Sequence, residues 1–300
     1  MLAVLLAAGL LMPAPARAET TGAPLALETK IPLGAIGGRI DHLGVDLKRQ
    51  RLFVAELGND SLGVVDLAAA KVLRTIAGFR EPQGVAYVPF ADSVYVANAG
   101  DGSVRVLRGD DLTPIGRIDL GDDADNVRVD DPHRRVLVGY GSGALAFIDT
   151  ATQTKAGDIR LKGHPESFRI DETGSRVFVN VPDAREIVVV NLATGGSQSL
   201  PLRGMRANFP MAIDRDTRRV LVVFRSPLTL MALSSQDGRV VAKVATCGDA
   251  DDVFVDAGRR RVWTRSASGD APGGIGRHHS SPVAADRRTL IGAILLMASA

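Results

Sequence analysis

The sequence holds a single cysteine, Cys247, in 300 residues. That excludes an intrachain disulfide framework and any zinc or iron-sulfur centre built on several thiolates. Aromatic residues make up 4% of the chain, so a core has to come from aliphatic side chains. The longest apolar runs, Leu2 to Met12 and Leu290 to Ala298, fall well short of the roughly 20 residues a membrane-spanning helix needs. Neither charge dominates: 36 basic against 34 acidic side chains leave a formal +2, which removes the general electrostatic case for nucleic acid or an anionic membrane surface. No H-E-x-x-H, Walker A or complete dinucleotide fingerprint is present, and GYGSGA at residues 139–144 misses the G-x-S-x-G spacing. What is there is 45% apolar and 23% charged, a composition that folds rather than stays disordered.

The first eighteen residues read as a signal peptide. Leu2 to Met12 is a short apolar stretch followed by Pro13, Pro15 and the small-residue site Ala16-Arg17-Ala18, so cleavage would leave Glu19 as the new N-terminus. The expected location is periplasmic or secreted, with no membrane span.

Self-comparison carries the most information. RLFVAELGNDSLGVVD begins at Arg51, SVYVANAGDGSVRVL at Ser93, RVLVGYGSGALAFID at Arg135, RVFVNVPDAREIVVVN at Arg176, RVLVVFRSPLTLMAL at Arg219 and RVW at Arg261, spaced 42, 42, 41, 43 and 42 residues apart. In each full unit a β-branched run meets a polar or glycine-rich turn and then a second alternating run, the mark of a hairpin. A third strand follows each hairpin and a fourth precedes it, giving four short strands per unit. That fits an all-β fold, a β-propeller of four-stranded blades. An aspartate recurs five residues before the anchor in Asp46, Asp130, Asp171, Asp214 and Asp256, with Val88 the exception; it is expected to accept backbone N–H bonds in the turn joining the first two strands. Leu25 to Leu33 is expected to supply a strand that closes the ring.

The repeats at residues 94–107 and 176–191 resemble the YVTN-type propeller repeat, and the chain resembles the YncE-like family of bacterial secreted proteins. The resemblance spans roughly Leu25 to Trp263 and implies a seven-bladed ring, with a degenerate or incomplete final blade here. The same architecture serves lactonase-type propellers and quinoprotein dehydrogenase subunits, so kinship narrows the fold more than the chemistry.

The expected organisation is a signal peptide at 1–18, a propeller at 19–263 and an atypical tail at 264–300. The tail has no Phe, Trp or Tyr and no alternating strand pair; it reads either as translated out of frame or truncated relative to the family it resembles, or as a flexible natural tail. Cys247 is flanked by Asp249, Asp251 and Asp252, carboxylates that raise a thiol pKa, so it is not read as a nucleophile.

In a propeller the loops entering the innermost strands converge on one mouth of the central channel. Ten residues before the anchors stand Asp41, Gln83, Asp125, Glu166, Phe209 and Asp251, and one residue later His42, Gly84, Asn126, Ser167, Pro210 and Asp252. The candidate ligand-binding set is Asp41, His42, Gln83, Asp125, Asn126, His164, Glu166, Asn208, Asp251 and Asp252. It describes an electronegative, hydrogen-bonding mouth suited to a cation or to a polyhydroxylated or amine-bearing ligand. Each Asp or Asn taken singly has a plainer role, satisfying the backbone donors of its own loop. Asp41, Asp125, Glu166 and Asp251 could offer hard oxygens to a divalent cation; otherwise no cofactor is expected.

No nucleophile, base and orienter can be placed together. The favoured function is therefore a non-catalytic, monomeric binding or scaffold propeller that holds a protein or small polar ligand at its mouth. The alternative is a metal-dependent lactonase-like hydrolase or a quinoprotein-dehydrogenase-like accessory subunit.

Overall fold

This computed structural model describes residues 28–171, 173–202, 204–246, 248–266 and 279–282. They form six antiparallel sheets in chain order, each strand pairing with the next. The first sheet holds β1 (Leu43–Asp46), β2 (Arg51–Glu56), β3 (Ser61–Asp66) and β4 (Lys71–Ala77). The second holds β5 (Pro82–Val88), β6 (Ser93–Asn98), β7 (Ser103–Arg108) and β8 (Pro114–Asp119). The third holds β9 (Ala124–Asp130), β10 (Arg135–Tyr140), β11 (Ala144–Asp149) and β12 (Thr154–Arg160). The fourth holds β13 (Ser167–Ile170), β14 (Arg176–Val181), β15 (Glu186–Asn191) and β16 (Ser197–Pro201). The fifth holds β17 (Arg206–Asp214), β18 (Arg219–Ser226), β19 (Leu228–Ser234) and β20 (Val240–Ala245), and the sixth β21 (Ala250–Asp256), β22 (Arg261–Ser266) and β23 (His279–Pro282). Among the described residues no helix is long and apolar enough to cross a membrane.

The burial gradient explains why the repeat is visible in the sequence. The second strand of each sheet is covered on both faces: β6 is buried at every residue, and β2, β10 and β14 at every residue but the first. The outermost strands β4 and β20 are largely exposed. A strand covered on both faces reads as a nearly continuous β-branched run rather than an alternation, and that run recurs once per sheet. The core is correspondingly a series of layers between neighbouring sheets. Phe53, Leu62 and Val64 pack on Val85, Tyr87 and Val96; Tyr95 and Val106 pack on Val127, Val138 and Ile148; Phe178 and Ile187 pack on Met211, Val220 and Phe224. Each sheet thus buries its faces on its neighbours, the nearest-neighbour logic of repeat proteins.

The recurrent aspartate ties down the turn into the second strand. Asp171 Oδ1 accepts the backbone N–H of Ser175 at 3.0 Å and of Arg176 at 3.2 Å. Asp46, Asp214 and Asp256 accept from Arg49, Thr217 and Arg259 in the same way. Asp130 instead binds side chains, Arg135 Nε at 2.7 Å and His133 Nδ1 at 3.0 Å. The residue before the anchor is left-handed at Gln50, Asp92, Arg134, Arg218 and Arg260. Where Val88 replaces the aspartate, a single 3-10 turn at Pro89–Ala91 does the work, closed by the left-handed Asp92. Asp92 then reaches back to the first sheet, taking two hydrogen bonds from Arg49 at 2.8 and 2.7 Å, while Arg49 also donates to Asp46 at 3.0 Å.

Two expectations need correction. The described part of Leu25 to Leu33 forms no strand. Pro32 has no N–H to give a sheet ladder, and Ile31, Leu33 and Ile40 instead pack over Leu52, Val54 and Val65, covering the first sheet's free face. The tail also does not begin at Thr264: β22 runs to Ser266, and residues 279–282 return to pair with it, His279 opposite Thr264 and Pro282 opposite Arg261. An edge strand uses backbone groups and needs no alternating side chains, so HSSP gave no sign of it. The signal-peptide segment, Cys247 and the rest of the tail lie outside the described residues.

Candidate functional site

The first strand of each sheet is its inner edge, and consecutive inner strands touch: β1 with β5, β5 with β9, β9 with β13, β13 with β17 and β17 with β21. His42, ahead of β1, and His164, ahead of β13, both come within 4 Å of Asp125 on β9, so the ends of inner strands from three sheets meet. The inner strands therefore face a shared channel.

At one mouth of it, Asp125 lies between two histidines from other sheets. His42 Nε2 is 3.7 Å from Asp125 Oδ1 and His164 Nε2 is 3.5 Å from Asp125 Oδ2. Each partner is held by its backbone or by a second contact. His42 donates its backbone N–H to Gln83 O at 3.2 Å and accepts from Ala55 N at 3.1 Å. His164 Nδ1 meets Gly141 O in the β10–β11 turn at 2.7 Å and lies 3.4 Å from Asp123 Oδ2. Close approach of β5 to β9 requires Gly84, where a Cβ would fall 2.1 Å from Asp125 O.

Burial works against a charged ring at His164, but Asp125, the Gly141 carbonyl and the charge of Asp123 outweigh it and push its pKa up to about 9. It is an imidazolium at neutral pH. Asp123 and Glu166 are raised by burial, each with the charge of Asp125 adding to it and His164 opposing. Asp125 itself is buried, and its Oδ1 has no hydrogen-bond partner among the described residues.

Other members of the expected set take different places. Asp41 lies 3.9 Å from His42 Nε2 and accepts from Arg39 at 2.5 Å. Asp251 accepts from Arg225 at 2.7 Å, the same arginine that lies over the Phe209 ring at 4.3 Å, and burial raises its pKa despite that cation. Asn126 is a tie between sheets, donating to Glu166 O at 2.7 Å and accepting from Arg128 at 2.8 Å. Asn208, fully buried, donates to Glu186 O at 3.1 Å. Each of these two amides donates to a carbonyl of a neighbouring unit rather than accepting from the donors of its own loop. Gln83 contributes its carbonyl to His42.

The mouth is therefore of mixed charge rather than a bare acidic ring, because Asp41, Asp125 and Asp251 each face a cation. Among the described residues no three His, Cys, Asp or Glu side chains are grouped to share a metal ion. Nor, among them, does any hydroxyl hydrogen-bond to His42 or His164 as an activated nucleophile would. The residues that sequence reasoning passed over are Asp123, Arg128 and Arg169. The two arginines stand seven residues before their anchors, where the other units carry Gly44, Ala86, Ala212 and Phe254. That contrast was the available signal.

No family model matches the chain, and no curated protein matches it. Among solved structures, a chain of Kuenenia stuttgartiensis hydrazine synthase matches with a TM-score of 0.54 and 16% identity, over 82% of this chain and 96% of that one. Likeness at that identity carries fold and not chemistry. Sheets, channel and likeness together define an all-β protein of the propeller type.

Proposed function

We propose that this chain is an exported, YncE-like propeller that binds a small polar ligand or a partner's polar group at the channel mouth. The observation that carries the reading is the buried Oδ1 of Asp125, which takes no hydrogen bond among the described residues and lies 3.7 Å from His42 Nε2. A buried acceptor without a donor costs on the order of 1–3 kcal/mol, and an amine or hydroxyl entering the mouth would supply that donor. The exported location rests on the N-terminal sequence, and the seven-blade count on the resemblance of the repeats alone.

Titration calorimetry with ethanolamine and with glucose, one probe for each ligand class, tests it. Saturable heat from either is expected, weakened tenfold or more in Asp125→Asn. Silence with both probes in folded protein would count against the reading. Calcium, magnesium and manganese belong in the same series, since tight metal binding lost in Asp125→Ala and Asp251→Ala would favour the hydrolase alternative.

A further inference from the structure

Below the mouth the channel carries two arginines on adjacent inner strands at the same place in the repeat: Arg128 opposite Leu137 and Arg169 opposite Phe178. Both guanidinium groups fold back along their own strands. Arg128 Nη1 donates to Val127 O at 2.7 Å and Arg169 Nη1 to Phe168 O at 2.9 Å. Arg128 further donates to Asn126 and lies over the Phe168 ring at 5.7 Å. The fourth sheet has Ser167 where the third has Asn126, so Arg169 has no equivalent second bond. Among the described residues its remaining donors meet no protein acceptor, and neither arginine is within ion-pair distance of a carboxylate. Both keep some contact with solvent although protein surrounds them, as side chains lining a narrow channel do.

A half-buried arginine normally has a carboxylate against it. Here two like charges feel each other, and burial drives the pKa of Arg128 down to about 10 and that of Arg169 below its ordinary value. Arginine does not shed its proton in proteins, so the shift marks unmet charge rather than a neutral side chain. The carboxylates that face the pair are Asp125 and Asp252. Asp125 already has the His164 imidazolium 3.5 Å from its Oδ2, which leaves Asp252 opposite two cations. The flanking inner-strand positions Gly44, Ala86 and Ala212 bring no further charge.

We propose that the channel beneath the mouth binds a small oxyanion, a carboxylate or a phosphate, between Arg128 and Arg169. Planar guanidinium forks match both anions in a bidentate way, and the free donors of Arg169 provide the principal grip. The site uses other residues and the opposite ligand charge from the mouth, so either reading can fail alone.

Calorimetry with inorganic phosphate and with succinate, against sodium chloride at equal ionic strength, tests the proposal. One-site binding of at least one probe is expected, at least tenfold weaker in Arg169→Met and weaker in Arg128→Met. The exposed Arg239→Met should bind as wild type. If the methionine variants do not fold, Arg169→Lys keeps the charge and loses the fork, and should still bind about tenfold more weakly. The proposal is overturned if neither probe gives more than the chloride response, or if the Arg169 variants bind as wild type. The probe that binds more tightly identifies the anion as carboxylate or phosphate.

Discussion

Gly84→Ala is expected to destabilise the protein by roughly 3 kcal/mol, the upper part of the range for a methyl forced into packed structure. The added Cβ would lie 2.1 Å from Asp125 O and 2.9 Å from Val127 Cγ2, and the nearer obstacle is backbone, which no rotamer change relieves. β5 must then move away from β9, carrying Gln83 and the His42 backbone it supports away from Asp125. Urea unfolding measures the first effect and loss of mouth-ligand binding the second. Gly37→Ala is the control, since its Cβ would meet nothing within 4 Å; it should change stability by less than about 0.5 kcal/mol. Equal stability of Gly84→Ala and wild type would show that the two inner strands are not packed as described.

The second large effect is a loss of stability in mild alkali. The folded protein holds the His164 proton up to about pH 9, whereas an unfolded histidine releases it near 6.5. Below about pH 6.5 both states are protonated and the stabilisation is complete. As pH rises the unfolded chain sheds its proton first, so stability falls through the window up to about 9, by about 3 kcal/mol. Urea unfolding at several pH values should show that decline in wild type and a flatter profile in His164→Gln and in Asp125→Asn. A profile in which wild type and His164→Gln decline alike assigns the effect elsewhere.

How much of this was legible depends on whether a feature repeats. The sheets were readable because every second strand is buried on both faces, so the same β-branched run returns about every 42 residues. The turn aspartates were readable because the same left-handed turn has to be closed in most sheets. Asp125 could be placed at the mouth by register alone. Its neutralisation could not, because His164 reaches it from the loop entering the next sheet, and no spacing within one unit encodes that approach. Asn126 and Asn208 were legible only as polar groups at strand starts; that each donates to a carbonyl of a neighbouring unit depends on how the sheets pack, which no spacing encodes. Arg128 and Arg169 were overlooked because an arginine within a strand ordinarily marks a solvated face, and only superposition of the units shows them standing where others carry small or apolar residues. The N-terminal cover of the first sheet was expected to be a strand because a ring of sheets needs its open edge closed, an expectation that takes no account of Pro32.

The account rests on inner strands from separate sheets meeting around one channel, so that a carboxylate of β9 is shared by histidines from two other parts of the chain. NMR titration of the histidine ring protons tests this most directly, with the His164 resonance assigned by its disappearance in His164→Gln. The account predicts a midpoint near 9 in wild type that drops toward 6.5 in Asp125→Asn. A midpoint near 6.5 in both proteins would contradict it.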